Sequence, residues 1–285
     1  MTLEYWYMLP VSILVATIAM ASGVEGATFF APIFILALRL TPEVAIGVGL
    51  ITEVFGFASG LFAYARKRLI DYQLGGRLLL VTVPLALLGT WLAAGISPDI
   101  LKAILGVGLF AIAFSFLRAP DHSDVVVIDD AIHRSDGPGK GETCLITADG
   151  EEIWYTVCNK TEGGLISGVG ALFMGMISTG LGEMNGYFFL QRCRVPSKVA
   201  VATSVLIVAV TALAASVGHM VSFIQQGPSV LNTVFGLVTF SIPGVIIGGQ
   251  LGSAAARHIP QNVLIRGLGM LFVLIAVLTL GEILL

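Results

Sequence analysis

Six apolar runs set the terms on which this chain can fold: residues 44–64, 78–97, 100–117, 199–218, 230–252 and 263–285. Each is near the ~20 residues that a helix needs to cross the ~30 Å hydrocarbon core of a bilayer. Hydrophobic residues make up 56% of the chain and charged residues 12%. That charged share is about half of what a soluble domain carries. Mean hydropathy is +0.94. These values exclude a soluble globular enzyme, a disordered chain and a nucleic-acid binder with a basic stripe. The 34 glycines and 11 prolines suit membrane helices, which tolerate both. The fold class is therefore an all-α polytopic membrane protein. The first ten residues hold Glu4 and no Lys or Arg. A signal peptide's basic region is missing, and the N-terminal apolar stretch is expected to stay in the mature protein.

Charge concentrates between two membrane repeats, 1–118 and 163–285. The segment 119–162 carries ten acids and three bases, so it must sit in water. Thr143 to Cys158 reads as a hairpin turning at Asp149-Gly150, with Ile146, Ile153, Trp154 and Val157 as its apolar positions. A lone hairpin is marginal. It is expected to pack on the membrane domain or on a second copy, which admits a homodimer. The segment's charge predicts little apolar surface for the membrane fold to gain from it, so it is expected to be dispensable. His122, His133, Cys144 and Cys158 lack the short ligand spacings of a metal centre, and neither a metal nor another cofactor is expected. Cys144, Cys158 and Cys193 are too few and scattered for a disulfide framework.

Two further apolar regions, 7–38 and 164–190, are interrupted. The first breaks at Ser22-Gly-Val-Glu-Gly-Ala-Thr28 and the second at Ser178-Thr-Gly-Leu-Gly-Glu-Met-Asn-Gly186. Each glycine weakens a helix by about 1 kcal/mol, and several together break it. Such breaks survive in hydrocarbon only where protein or water satisfies the freed backbone groups. A glycine-rich packing face is the bland alternative. Other features repeat in order. Arg39-Leu-Thr-Pro-Glu-Val-Ala-Ile-Gly47 aligns with Arg194-Val-Pro-Ser-Lys-Val-Ala-Val-Ala202, and Pro84, Gly89 and Leu92 align with Pro243, Gly248 and Leu251. Duplicated halves with broken helices are a usual build of secondary transporters, with the substrate site at their interface.

Positive charge chooses the topology. If all eight apolar regions cross, Arg66, Lys67 and Arg68 fall opposite Arg192, Arg194 and Lys198, against the positive-inside rule. If 7–38 and 164–190 are re-entrant, each half crosses three times and the halves are inverted. Thirteen of the fifteen Lys and Arg residues then lie inside, leaving Arg39 and Lys102 outside. The alternative is a break that divides a crossing helix. In the inverted arrangement the segment 119–162 is cytoplasmic and its cysteines are expected to be reduced.

The glycine breaks, Leu181-Gly-Glu-Met-Asn-Gly-Tyr187, Arg192-Cys-Arg-Val-Pro196 and Val199-Ala-Val-Ala-Thr-Ser204 resemble the sulfite exporter TauE/SafE family. The resemblance covers both membrane halves. In the first half, Gly23-Val-Glu-Gly26 and Pro32 keep part of the family pattern, while Val48-Gly49 replaces its Thr-Ser pair. The resemblance implies a multi-pass permease of the bacterial inner membrane for small sulfur-containing anions such as sulfite, thiosulfate or organosulfonates, coupled to an ion.

Glu25, Glu53 and Glu183 are the acids well inside apolar segments. An intramembrane acid points to function because its charged form is costly there. A carboxyl in apolar surroundings holds its proton to higher pH than one in water, so these three are candidate proton carriers. Carboxylates should repel an anion. Either they are protonated when it binds, or the substrate is a cation. Broken helices favour the first option, because half-helix N-termini offer N–H groups and a positive dipole end. Gly23, Glu25, Gly26 and Ala27 of the first break and Gly180, Gly182, Glu183 and Asn185 of the second are the candidate substrate site. Thr203 and Ser204, early in the next helix, join them as hydroxyl donors, with back-bonding inside their own helix as the plain alternative. His219 and the equivalent Arg39 and Arg194 read as interfacial. No nucleotide-binding motif is present. Competing readings are a proton-coupled cation carrier and a membrane sensor or scaffold acting through 119–162. The expected partners are a small anion, protons and lipid.

Overall fold

The computed structural model describes residues 3–22, 25–117, 143–255 and 261–284. Gly23, His122 and His133 lie outside that set. The first half contains α1 (Met8–Ser22), α2 (Ala27–Leu36), α3 (Pro42–Arg66), α4 (Tyr72–Gly95) and α5 (Pro98–Leu117). Strands β1 (Thr143–Ile146) and β2 (Glu152–Tyr155) follow. The second half contains α6 (Lys160–Ile177), α7 (Leu181–Gly186) running into a π-helical turn (Tyr187–Arg192), α8 (Ser197–Gln226), α9 (Pro228–Ala255) and α10 (Gln261–Leu284). Among the described residues, α3, α4, α5, α8, α9 and α10 are long and apolar enough to cross a membrane. They coincide with the six runs of the sequence. The protein is an all-α polytopic membrane protein, and side chains such as Leu80 and Trp91 stand 78% and 72% exposed on its outer face, where lipid is the natural solvent.

Local chemistry sets the ends of these helices. Asp71 caps α4 by accepting from the N–H groups of Gln73 and Leu74, the usual role of an Asp just ahead of a helix. Asn159 caps α6 in the same way, accepting from the N–H groups of Thr161 and Glu162. α6 stops because Ser178 takes φ 60° and Gly180 φ 112°. Left-handed residues end a right-handed helix.

The interrupted region of the second half returns to the end from which it started. Arg192, at its exit, meets Glu162 at its entrance (Nε to Oε1 2.8 Å). Cys158 and Cys193 are disulfide-bonded beside them, with Cα atoms 5.2 Å apart. The expectation of reduced cysteines is corrected here: folding back brings two distant cysteines within bonding range. Cys144 remains a free, exposed thiol.

Side-chain neighbours fix the direction of every other pair. α1 runs parallel to α9, with Ser12, Ala16 and Met20 against Gly244, Gly248 and Gly252 in turn. α6 runs parallel to α4, with Leu85 beside Gly168 and Thr90 beside Gly175. At Gly175 a Cβ would run into the Ala86 carbonyl, and at Gly248 into the Ile13 carbonyl. Only glycine permits these backbones to touch. α3 packs antiparallel to α8 through Glu43 with Ser222 and Gln226. α5 packs antiparallel to α10 through Lys102 and Glu282. The pairing is reciprocal: the first helix of each half lies along the helix after the long central one of the other half.

The turns after α2 and after the π-helical turn also match. Arg39 and Arg194 both take left-handed φ, 53° and 51°. Leu40 donates to the Phe34 carbonyl, and Val195 donates to that of Phe189. Both arginines shape a turn, a role the interfacial reading did not anticipate. The stretch from Gly180 to Arg194 is one residue longer than that from Gly26 to Arg39. The π-helical turn absorbs the surplus, as single π turns do inside helices.

The hairpin forms with Thr143 opposite Tyr155 and Ile146 opposite Glu152. Gly150 turns it at φ 82°. It docks on the bundle through alternate residues of β2. Ile153 and Tyr155 are buried, whereas Trp154 and Ile146 are exposed. Of the apolar positions expected from the sequence Ile153 faces the bundle while Ile146 and Trp154 do not, and Tyr155, not among them, anchors the hairpin. The Tyr155 hydroxyl donates to Asp71 Oδ2 (2.8 Å), Ala148 N–H donates to the Lys67 carbonyl, and Lys198 pairs with Glu151. This segment therefore adds side chains to the core, contrary to the expectation that it buries little.

Candidate functional site: a carboxylate-filled pair of helix breaks

The two breaks meet. Thr28, one residue into α2, shares a 2.9 Å hydrogen bond with Thr179. Gly182 N–H donates to Glu25 Oε1 (2.7 Å), tying the second break to the first. Ala27 N–H, the first of α2, donates to Glu53 Oε1 (3.0 Å), which reaches over from the middle of α3. Gly180 N–H donates to Glu183 Oε2 (3.1 Å). The three carboxylates are within electrostatic reach, since Glu25 feels both Glu183 and Glu53. Glu25 and Glu53 are 6% and 4% exposed, and the second carboxylate oxygen of each has no hydrogen-bond partner. Gly182 must be glycine, because a Cβ there would overlap the Glu25 carboxylate.

The glutamates do not hold matching positions. α2 starts after Gly26 and α7 starts after Gly180. Glu25 precedes its glycine, whereas Glu183 follows by three residues and closes back on its own helix. Counted from those glycines, the residue matching Glu25 is Thr179, which already touches Thr28.

Of the other candidates, Gly26 forms the start of α2, and a Cβ on it would stand 3.9 Å from Glu53 Oε1. Asn185 is fully buried and accepts from Ser167 Oγ (2.8 Å). Its amide nitrogen has no partner, nor does the hydroxyl of buried Ser178. Thr203 is placed elsewhere. Its hydroxyl accepts from Asp71 N–H (3.0 Å), at the joint beneath the hairpin. Ser204 beside it is half-buried. Gly23 is outside the described residues. His219 is not interfacial: it is fully buried, stacked on Phe223 and hydrogen-bonded to the Gly175 carbonyl (3.0 Å). Its place is set by the packing of α8 against Gly47 of α3. Sequence reasoning missed Thr28, Thr179 and Ser178. Hydroxyls immediately flanking each glycine cluster were the available signal.

Chemically, the site combines backbone N–H donors, hydroxyls and three acids in an otherwise apolar interior.

The description of the sulfite exporter TauE/SafE family matches residues 8–279. A Bacillus subtilis (strain 168) protein described as a probable membrane transporter protein, YunE, is 24% identical over 253 residues, covering 88% of this chain and 86% of its own length. No solved structure matches the chain.

Proposed function

The chain belongs to the sulfite exporter TauE/SafE family, and from that premise we propose that it is a proton-coupled secondary transporter for a small sulfur-containing anion. Sulfite, thiosulfate and organosulfonates are the substrate class. It is a multi-pass protein of the cell membrane, and its family is one of transporters rather than enzymes.

The observation that carries this reading is the junction of the two breaks through Thr28, Thr179, Glu25 and Gly182. Glycine-broken helices that bring backbone donors together inside a membrane bundle are how transporters build a substrate site. The antiparallel course of the equivalent helices α3 and α8, and of α5 and α10, supports inverted halves, whose relative rocking would expose such a junction to either side. Glu25, Glu53 and Glu183 supply proton sites beside the donors.

The test is a flux screen in liposomes with sulfite, thiosulfate, sulfate, taurine and divalent cations, run with and without a pH gradient. Flux of a sulfur anion driven by the gradient is expected. Glu183→Gln should flatten the dependence of that flux on pH, because the amide mimics the protonated acid. The buried, unpartnered oxygens of Glu25 and Glu53 favour a second reading, a cation carrier. Uptake of a divalent cation that Glu183→Gln eliminates would establish it instead.

A further inference from the structure

The donors that an anion would need are already taken. Ala27 N–H holds Glu53, Gly182 N–H holds Glu25, and Gly180 N–H holds Glu183. Each is filled by a carboxylate of the chain itself, and two of the three come from outside the helix they cap. Buried donors also stand idle beside them: the Ser178 hydroxyl and the Asn185 amide nitrogen have no partner. Leaving a buried polar group unpaired costs about 1–3 kcal/mol, so both are donors that an incoming acceptor would satisfy.

We propose that Glu25 and Glu53 are tethered anions, and that the transported anion binds by displacing them from the N–H groups of Gly182 and Ala27. This rests on the anion-transport reading above and adds the means of coupling. A carboxylate and a substrate oxyanion compete for one set of donors, because both are compact, charged oxygen acceptors. A protonated carboxyl is a poor competitor, since its oxygen has lost the charge that makes such hydrogen bonds strong. Two charged groups crowded at one buried donor also repel each other. Anion binding therefore draws a proton onto each displaced glutamate, two in all, and release of the anion lets both carboxylates return and shed them.

The two glutamates are placed for this. Glu25 comes from the first break and fills a donor of the second, so its departure loosens the junction between halves. Glu53 lies on α3 and can withdraw without unwinding α2. The titratable groups facing the pair are each other and Glu183. His219 of α8 is turned elsewhere, to the Gly175 carbonyl of α6, and the acid it feels is Glu43.

The experiment measures thiosulfate and sulfate binding to the purified full-length protein between about pH 6 and about pH 8, where neither anion changes its own charge. Proton uptake is followed in weak buffer with an indicator dye. Wild-type protein should take up close to two protons per anion, and its affinity should fall up to about a hundredfold per pH unit as pH rises. Glu25→Ala and Glu53→Ala remove a competitor, so each should tighten binding at about pH 8 by about tenfold or more, as removal of an autoinhibited state does. Each should also lower the proton count. Anion binding without proton uptake overturns the displacement mechanism while leaving anion transport intact. Weaker binding in both alanine variants overturns it as well. Absence of binding for either anion at every pH, with cation flux in liposomes, overturns the transport reading and this inference with it. The wild-type proton count decides the matter even if a variant fails to fold.

Discussion

Tyr155 and Asp71 show how one hydrogen bond joins a water-soluble segment to a membrane bundle. Asp71 uses one oxygen to cap α4 and the other to accept from Tyr155, while its N–H goes to Thr203. Tyr155→Phe leaves Asp71 Oδ2 short of a partner in a buried place. The loss should be about 1–2 kcal/mol of stability, read as a lower melting midpoint in detergent. Burial, and then the Asp71 carboxylate, push the Tyr155 hydroxyl above its ordinary range. The folded protein thus favours neutral tyrosine. Its contribution is fully present below the free value of about 10 and is lost as pH rises beyond it. An ultraviolet titration should show a late-ionising tyrosine component, and Tyr155→Phe should shrink it by one residue. Asp71 was not singled out in the sequence, although an Asp just ahead of an apolar run is the usual mark of a helix cap. Tyr155 was not singled out either, because alternation along β2 permits either Ile153 and Tyr155 or Trp154 and its neighbours to face inward. Only the bundle beneath the hairpin decides between them.

At the level of elements, the long helices were readable because length and apolarity alone define a span. The broken ones were readable as breaks, though not as contacts. Glycine clusters told where α1 and α6 stop. They did not tell that Glu25 would cross to Gly182, since hydrogen bonds between distant segments leave no local pattern. The same limit hid the role of Thr203: a Thr near a helix start reads as a donor to substrate until Asp71 arrives from another helix to use it. The glycines of the α4–α6 and α1–α9 seams follow a clearer rule, spacing by four residues along one face as in Gly244, Gly248 and Gly252. Gly175→Ala should push α6 off the Ala86 carbonyl at a cost of about 1–3 kcal/mol. Gly186→Ala, where an added Cβ meets nothing within 4 Å, should be close to neutral. A similar loss in both variants would argue against a specific seam and for a general need for glycine. The Cys158–Cys193 bond ties the start of α6 to the exit of the π-helical turn. Thiol counting with and without reductant should find two more reactive groups after reduction, and Cys193→Ser should remove that difference.

For the whole molecule, the remaining question is which end faces the cytoplasm, and the structure narrows it to a single choice. Lys67 and Lys198 both meet the hairpin, and Arg192 meets Glu162 at the start of α6, just after the hairpin. These basic residues share one end by direct contact. Lys102 is held by Glu282, at the junction where α5 begins and α10 ends. α3 and α4 each run the length of a span between Lys67 and the neighbourhood of α5, so Lys102 belongs to the opposite end. The positive-inside rule predicts a cytoplasmic hairpin, and a disulfide on that side is one that the cytosol tends to reduce. Those two tendencies oppose each other. The charge asymmetry is the stronger guide, because many basic residues must be relocated to reverse it, whereas one disulfide can open without disturbing the rest. In a background with Cys144, Cys158 and Cys193 changed to Ser, single cysteines at Lys67 and Lys102 should therefore behave oppositely in intact cells. Lys102→Cys should react with a membrane-impermeant maleimide, and Lys67→Cys should react only after permeabilisation. The reverse pattern would place the hairpin and its disulfide outside. Labelling of both from outside would contradict the antiparallel course of α3, α4 and α5, and with it the inverted halves on which the proposed transport cycle depends.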